Sequence, residues 1–185
     1  MIIRKAERGE ETEILALYEA LIDLMRGSEY RPTWEKGVYP TLEDIGPAVE
    51  AGEMFIVRED GSVVAAVRVN HRQGEGYADV PWRVEAADEE VFVIHLMAVH
   101  PAFHNRKIGE RLLAFVLDRC RREGGRAVRL DTLPWNLPGR RLYEKTGFVY
   151  CGETHLDYPP VGETPFSMYE ASLRPETRRQ AAADM

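Results

Sequence analysis

A basic turn between a predicted strand and a predicted helix is the part of this sequence best suited to bind an anion. Residues 91–99 form an almost uninterrupted apolar run that Pro101 stops, and an amphipathic helix begins near Ile108. The first backbone N–H groups of a helix have no intrahelical partner, and the helix dipole adds partial positive charge there. The order of strand, turn and helix therefore predicts a phosphate-binding site.

Two common phosphate-binding motifs are absent from the sequence. It contains no G-x-x-x-x-G-K-S/T segment, which a P-loop nucleotide site requires. It also has no G-x-G-x-x-G after a strand, which a dinucleotide-binding fold requires. The phosphate ligand is therefore expected to be bound by a different kind of loop.

The turn resembles the acetyl-CoA pyrophosphate loop of the GNAT N-acetyltransferase superfamily, whose pattern is Q/R-x-x-G-x-G/A after a strand that ends L-x-V-x-P. The strand end is matched by Met97-Ala98-Val99-His100-Pro101, and the loop by His104-Asn105-Arg106-Lys107-Ile108-Gly109. The resemblance implies that these matched residues bind acetyl-CoA. His104 replaces Gln or Arg, and Lys107 replaces a glycine that favours close backbone approach or a positive φ. The Lys107 ammonium could compensate through a phosphate contact.

A second segment, residues 136–148, is similar to the superfamily pattern N-x-x-A-x-x-L/F-Y-x-K-x-G-F, with Gly139 in place of Ala. A short helix is predicted to begin near Pro138 and to end at Gly147. A strand predicted over residues 127–133 separates the two segments, which is the superfamily's order. The resemblance implies that Asn136 faces CoA, although an Asn at this place is also a common turn or cap residue.

An amine acetyltransferase needs a bound thioester, a neutral amine and a proton for the departing thiolate. The resemblance implies direct transfer in a ternary complex, in which backbone amides near residues 96–99 hold the thioester and pantetheine. It also implies that Tyr143 donates the proton, because its phenol occupies the superfamily's acid position and is neutral at pH 7. The alternative is a core tyrosine whose hydroxyl bonds to backbone.

His95 is the candidate general base. It interrupts an apolar strand, where an unpaired imidazole costs about 1–3 kcal/mol. Strand alternation predicts that it shares a face with Val93, Met97 and Val99, so that it points either toward the acetyl group or into the core. The stretch I-H-L-M-A-V-H is similar to the histidine-bearing strand of arylalkylamine acetyltransferases, which supports a base with a pKa near ~6.5. A satisfied core histidine is the equal alternative.

Other residues are candidates for contact with the acceptor. Asp131 ends a strand, where its carboxylate could orient the amine or simply cap the strand end. The aromatic residues Trp34, Tyr39 and Trp82 could wall an acceptor pocket or anchor loops. The remaining histidines show no ligand spacing with carboxylates or cysteines, so no metal site is expected.

Composition limits the class of protein. With 185 residues and 44% hydrophobic content, we expect one domain over residues 1–173 and a disordered polar tail at 174–185. A net charge of −7 argues against a nucleic-acid surface and favours a cationic or amine substrate. No signal peptide, membrane-spanning segment or disulfide framework is recognised, so a cytoplasmic protein without membrane contact is expected.

The predicted elements place helices and antiparallel strands before the two motifs. They are a strand at 2–5, a helix at 9–25 with Ile14, Leu17, Leu21 and Leu24 on its buried face, a helix ending at Gly52 after a Thr41–Asp44 capping box, a hairpin of 54–58 and 62–71, a surface excursion at 72–90, and closing strands at 148–155 and 165–173. With the resemblance, this order predicts an α/β (α+β) fold: a GNAT-like central mixed, mostly antiparallel sheet with a splayed strand pair, flanked by helices.

Three functions agree with these features. The first is acetyl transfer from acetyl-CoA to a primary amine of a small molecule or amino acid. The second is acetylation of a protein N-terminus or lysine, which needs an open groove, whereas the excursions at 26–40 and 72–90 favour a closed pocket. The third is a non-catalytic CoA-binding or sensing module, which Lys107 favours and the intact Asn136 and Tyr143 oppose. A homodimer is also consistent with such folds.

Overall fold

The computed structural model describes residues 1–158 and 161–173, so the predicted tail at 174–185 lies outside the described residues. In chain order the elements are β1 Ile2–Lys5, α1 Glu11–Leu24, α2 Leu42–Glu50, β2 Met54–Glu59, β3 Ser62–Asn70, β4 Val91–Val99, α3 Ile108–Arg122, β5 Ala127–Thr132, α4 Leu137–Lys145, β6 Val149–Tyr158 and β7 Gly162–Ser172. Short 3₁₀ turns lie at Glu75–Asp79, Asp88–Glu90 and Pro101–Phe103. None of the described helices is both long and apolar enough to span a lipid bilayer.

The strands form one seven-stranded sheet in the order β1-β2-β3-β4-β5-β7-β6. Every neighbouring pair is antiparallel except β4 and β5, which are parallel. The prediction of a mixed, mostly antiparallel sheet flanked by helices is therefore confirmed. The two closing strands begin and end up to three residues away from the predicted bounds.

The parallel pair β4 and β5 opens into a gap. Their pairing runs only from Val91↔Ala127 to Ile94↔Leu130. Beyond that point β4 continues beside β3 as far as Val99, and β5 continues beside β7. The carboxyl-terminal halves of the two strands therefore diverge, which is the predicted splayed pair.

A β-bulge lies in β4 at the start of this gap. The register with β3 passes from Arg68↔His95 to Ala66↔Ala98, so β4 contributes one more residue than β3 over this interval. Leu96 has a φ of 50°, in the left-handed region. One extra residue in one strand, with a local change of backbone direction, defines a bulge.

The bulge changes which side chains of β4 lie on the same face of the sheet. Phe92 and Ile94 pack in the core beneath α3, and Met97 and Val99 pack against that same core, so the alternation shifts by one residue between them. His95 therefore lies on the opposite face from Met97 and Val99. The prediction that these three share a face was wrong, because a bulge shifts the two-residue repeat of a strand.

Helices cover both faces of the sheet. The helix α3 and the second half of α4 lie over one face, where Leu112, Leu113 and Val116 enter a core formed with β2 to β5 and β7. The helices α1 and α2 cover part of the opposite face, and Ile14 and Ile45 are fully buried there. These layers close the core on each side of the gap between β4 and β5.

The buried face of α1 differs in part from the prediction. Leu24 is 59% exposed, because it ends the helix and leads into the loop at 25–40. Tyr18, which the sequence interpretation did not place in the core, is fully buried instead. The predicted capping box of α2 is confirmed, since the Thr41 N–H donates to an Asp44 carboxylate oxygen at 2.8 Å.

The segment at 72–90 is more than a surface excursion. Tyr77 and Val80 are buried and join a third core cluster with Val93, Ala127 and Met168. Aromatic and aliphatic side chains in an otherwise polar, Gly-containing stretch provide this anchoring. The segment therefore covers the part of the sheet that α1 and α2 leave open.

Candidate active site

A cleft of about 630 Å³ occupies the gap between β4 and β5. Nearly all of the site residues predicted from the sequence line it. They are Trp34, Tyr39, His95, Met97, Ala98, Val99, His104, Asn105, Lys107, Ile108, Gly109, Asp131, Asn136 and Tyr143. The two exceptions among the predicted residues are Arg106 and Trp82.

Arg106 is turned away from the cleft. Its guanidinium lies 5.0 Å from the centre of the Phe103 ring and forms an ion pair with Glu59 at 2.5 Å. Since this charge is already paired, the structure does not support the predicted contact of the Arg106 side chain with CoA. The sequence pattern of the loop does not determine the direction of a side chain two residues before the helix. Such a side chain can point toward the cleft or away from it.

Trp82 also lies outside the cleft. Its indole N–H donates to the Tyr77 carbonyl oxygen at 2.8 Å, and the Arg129 guanidinium lies 4.4 Å from the ring centre. The prediction that Trp82 walls the acceptor pocket was therefore wrong. Trp82 instead helps to hold Tyr77 in place through this hydrogen bond.

The anion-binding turn forms one end of the cleft. Lys107 is the N-cap residue of α3 and has φ 59° and ψ 18°, which is the conformation that glycine favours. The first N–H of α3 to bond backward is that of Arg111, to the Lys107 carbonyl oxygen at 3.0 Å. The preceding N–H groups, those of residues 108–110, are free to bind an anion. Lys107 thus adopts a positive φ at the position where the sequence pattern has a glycine.

We expect Lys107→Gly to stabilise the protein. An L-residue in the left-handed region costs about 1–2 kcal/mol, and part of this gain is offset by the larger entropy of glycine in the unfolded chain. The melting temperature should therefore rise by about 1–3 °C in a thermal denaturation experiment. Lys107→Ala is the matched control, because it removes the same ammonium but keeps the strained Cβ. Equal melting temperatures for the two variants would contradict this account.

Gly109 allows α3 to approach α4. A Cβ at this position would lie 2.8 Å from Cδ2 of Leu142 and 3.7 Å from Cε of Met97. At the other end of the turn, the His104 imidazole bonds to the Val99 carbonyl oxygen at 3.0 Å, which ties the turn to the end of β4. The turn, α3 and the strand end are therefore fixed relative to one another.

Tyr143 reaches the cleft from α4. It is 7% exposed, and its ring packs against those of Phe148 and Tyr169 at centroid distances of 5.9 and 6.0 Å. Burial raises the pKa of the phenol well above its ordinary value, and the Asp131 carboxylate raises it further. Among the described residues the hydroxyl has no hydrogen-bond partner, so the alternative of a phenol bonded to backbone finds no support. The phenol lines the cleft and keeps its proton at neutral pH.

Asn136 is the N-cap of α4. Its side-chain oxygen accepts the Gly139 N–H at 3.1 Å, and its amide donates to Oγ1 of Thr132 at 3.0 Å. A Cβ at position 139 would lie 2.4 Å from the Asn136 amide nitrogen, so glycine in place of the pattern's alanine makes room for this cap. The cap role proposed from the sequence is present, and the capped side chain still lines the cleft.

His95 is a partnered, half-buried histidine. Its Nε2 lies 3.0 Å from the side-chain oxygen of Asn70, whose amide donates to a Glu53 carboxylate oxygen at 3.0 Å. Burial lowers the pKa of the imidazole to about 4, and the Arg68 guanidinium contributes to this shift. The ring is therefore neutral at pH 7, and its pKa lies below the ~6.5 of the sequence-based expectation.

Asp131 lies at the cleft wall near the end of β5. One carboxylate oxygen accepts a hydrogen bond of 2.7 Å from the Tyr77 hydroxyl. Burial raises the pKa of Asp131, while this hydrogen bond acts in the opposite direction. Sequence reasoning missed the role of Tyr77, because no local pattern connects a tyrosine with a carboxylate 54 residues along the chain.

Tyr18 is a second supporting residue that sequence reasoning missed. Its hydroxyl donates to the Leu96 carbonyl oxygen at 2.7 Å, which fixes the bulge of β4 from the α1 side. Its ring meets that of Trp34 edge to face at 5.3 Å. Trp34, Tyr39 and Tyr30, all from the loop at 25–40, also line the cleft, where they form an aromatic wall beside the bulge.

The described residues contain no group of three or more His, Cys, Asp or Glu side chains placed to hold a metal ion.

Comparisons with known proteins agree with this geometry. Residues 16–148 match the model of the acetyltransferase (GNAT) family. A stretch of 106 residues is 30% identical to mycothiol acetyltransferase of Brachybacterium faecium, and it spans 57% of this chain but only 29% of that protein.

Solved structures share the fold. A GNAT family acetyltransferase of Streptococcus agalactiae has a TM-score of 0.73 at 22% identity, covering 92% of this chain and 94% of that one. The YncA protein of Salmonella typhimurium, solved with its cofactor acetyl-CoA, has a TM-score of 0.69 at 18% identity, covering 100% of this chain and 98% of that one.

Proposed function

The chain belongs to the acetyltransferase (GNAT) family, and we propose that it transfers the acetyl group of acetyl-CoA to the primary amine of a small molecule by direct attack in a ternary complex. One observation carries the proposal. The anion-binding turn at the start of α3 and the Tyr143 phenol line the same cleft, where β4 and β5 diverge.

The residues of the cleft fit acetyl-CoA. The free N–H groups at residues 108–110 and the Lys107 ammonium suit a pyrophosphate. The side chains of Met97 and Val99 offer an apolar surface next to the turn, and the unpaired edge of β4 beyond Ile94 offers backbone groups to the pantetheine amides. The thioester would then lie in the gap, within reach of Tyr143.

The proposed chemistry assigns one proton transfer to Tyr143. As the amine nitrogen bonds to the thioester carbon and the carbon–sulfur bond breaks, the thiolate takes the phenolic proton. A protonated donor is needed for this step, and the raised pKa of the buried phenol keeps Tyr143 protonated at neutral pH.

The aromatic side of the cleft, its proposed acceptor end, favours a small molecule over a protein substrate. Trp34 and Tyr39, from the loop at 25–40, line that end of the cleft. A peptide chain bound in extended form needs an open groove instead. The non-catalytic alternative rested on Lys107, and it loses this support because Lys107 adopts the conformation expected of a glycine.

Acetyl-CoA turnover with a panel of amines tests the proposed function. We expect release of the free thiol that depends on a small primary amine, detected with a thiol reagent. Peptides with a free N-terminus or lysine are the comparison set. Thiol release stimulated by peptides alone would indicate the protein-acetylating alternative, and binding of CoA without turnover on any acceptor would indicate a sensing module.

Gly109→Asp is expected to weaken CoA binding by more than about tenfold, or about 1.4 kcal/mol. The new carboxylate stands at the start of α3, where it repels the phosphates, and its Cβ competes for space with Leu142. Calorimetric titration with CoA measures the effect. Gly109→Ala is the matched control, because it adds the Cβ without the charge. An unchanged dissociation constant for a folded Gly109→Asp variant would place the cofactor site elsewhere.

A further inference from the structure

The acceptor end of the cleft contains one carboxylate and no opposing cation. Of the described residues that line the cleft, Lys107 and Glu110 belong to the anion-binding turn and α3, and Asp131 is the formally charged residue on the other side. No Lys or Arg of residues 1–158 and 161–173 forms an ion pair with Asp131. Arg129, two residues earlier on the same face of β5, is already paired with Glu170 at 3.0 Å.

Asp131 is held in place by a chain of buried contacts. Tyr77, which is 2% exposed, donates to its carboxylate at 2.7 Å. Trp82 in turn donates to the Tyr77 backbone at 2.8 Å and lies under the Arg129 guanidinium. A carboxylate fixed by a buried donor on a packed support keeps its direction into the cleft. Apart from this hydrogen bond with Tyr77, the Asp131 carboxylate has no ion pair or side-chain hydrogen bond within residues 1–158 and 161–173, and it lines the cleft.

We propose that Asp131, positioned by Tyr77, binds the ammonium form of the acceptor and takes its proton, so that the acceptor is a primary amine with no carboxylate on the neighbouring carbon. This inference rests on the proposed acetyl transfer and names its substrate class. A half-buried carboxylate without a cation partner is compensated when an ammonium binds beside it. The aromatic wall of Tyr30, Trp34 and Tyr39 suits an apolar body attached to that ammonium.

A free α-amino acid does not fit this arrangement. Its carboxylate would lie next to Asp131, and the residues that line this end of the cleft include no Lys or Arg. Two like charges in a site with little water repel each other, and an unpaired buried carboxylate carries a large desolvation cost. The acceptor class therefore excludes amino acids, although their esters and amides remain compatible.

The reaction balances with these two residues. The acceptor ammonium gives one proton to the Asp131 carboxylate, and the neutral amine forms the new nitrogen–carbon bond as the carbon–sulfur bond breaks. The thiolate takes a proton from Tyr143, and the nitrogen returns its second proton to the Tyr143 phenolate. The products are the acetylated amine and the CoA thiol. The proton on Asp131 passes to solvent when the product leaves.

His95 is a weaker candidate for this step. Its imidazole is bonded to Asn70, and burial lowers its pKa to about 4. Burial acts in the opposite direction on Asp131 and raises the pKa of its carboxyl group. The titratable groups that face Asp131 are Tyr77 from the 3₁₀ turn and Tyr143 from α4, with His95 on the neighbouring strand; the β7 neighbour, Met168, is uncharged.

Matched acceptors test the substrate class on the unaltered enzyme. We compare phenethylamine with phenylalanine and with phenylalanine methyl ester, which restores the bulk without the charge. We expect kcat/KM for the amine and the ester to exceed that for the amino acid by at least about a hundredfold, which corresponds to about 2.7 kcal/mol. Equal use of the amino acid overturns the inference while acetyl transfer stands. If neither these three compounds nor any other small amine stimulates thiol release, the proposed function itself is overturned.

Two variants test the residues. Asp131→Asn should lower kcat/KM for the amine by about 10²–10⁴-fold while CoA affinity is retained. Tyr77→Phe removes the hydrogen bond that stabilises the charged carboxylate, so the acidic limb of the pH profile of kcat/KM should move to higher pH. A merely structural role of Tyr77 would lower the rate without moving that limb. If Asp131→Asn does not fold, the pH profile of Tyr77→Phe and the comparison of matched acceptors decide whether the inference holds.

His95→Gln is the control for the base. We expect it to leave the acidic limb of the profile in place. Loss of the limb in His95→Gln, with an unmoved limb in Tyr77→Phe, would assign the base to His95 and overturn the inference.

Discussion

Replacement of Tyr143 by Phe is expected to lower kcat by about 10²–10⁴-fold, the usual contribution of a positioned acid. The dissociation constant of CoA should stay nearly the same, because the phenolic proton is needed only as the thiolate departs. Stability should change little, since the hydroxyl has no hydrogen-bond partner among the described residues. Steady-state kinetics, CoA titration and a melting curve on one preparation separate these three effects.

Tyr169→Phe is the matched control for Tyr143. Its ring lies 6.0 Å from that of Tyr143, but its hydroxyl bonds to Arg140 and Glu144 at 2.9 and 3.0 Å, and it does not line the cleft. This control should lose some stability and keep its turnover. If Tyr143→Phe retains the parental kcat, the thiolate obtains its proton from another source, and Tyr143 is a core residue.

The strand, turn and helix of the anion-binding turn could be predicted from the sequence because their signals are local. A strand, a stop at Pro101 and a helix starting at Ile108 need only neighbouring residues to be recognised, and the structure places α3 at Ile108–Arg122. The segment from Asn136 to Tyr143 is local in the same way. The family predicted from these two motifs is confirmed by the match over residues 16–148.

The opposite side of the cleft could not be predicted to the same extent because it depends on distant contacts. The bulge at Leu96 is held by Tyr18, 78 residues away, and it reverses the face on which His95 lies. Asp131 depends on Tyr77, 54 residues away. No periodicity in the sequence records such pairings, since each side chain alone is compatible with a core, a loop or a site. Trp82 was misplaced for that reason.

A buried ion pair between Arg129 and Glu170 helps to attach the segment at 72–90 to the sheet. The side chains of Arg129 and Glu170 are 8% and 1% exposed, and they lie 3.0 Å apart. Glu170 also accepts the backbone N–H groups of Arg83 and Val84 at 2.8 and 2.9 Å, and Arg129 donates to Gln73 and to the Val84 carbonyl. These bonds attach the segment at 72–90, and with it Tyr77, to β5 and β7.

Glu170→Gln is therefore expected to lower the free energy of unfolding by about 3–5 kcal/mol, because the isosteric amide leaves the Arg129 guanidinium buried without its counter-charge. Chemical denaturation measures this loss. Asp118→Asn is the matched control: its ion pair with Arg122 is exposed on α3, and its removal should cost less than about 1 kcal/mol. Equal losses in the two variants would contradict the anchoring role of Glu170.

The same variant connects stability to the proposed acceptor site. If Glu170 attaches the segment at 72–90, hydrogen exchange in Glu170→Gln should accelerate at the amides of Arg83 and Val84 before it does so in α3. Because Tyr77 lies in that segment, kcat/KM for an amine should fall more than CoA affinity does. A variant that loses stability evenly, with amine use and CoA binding affected alike, would show that the ion pair supports the sheet without positioning Asp131.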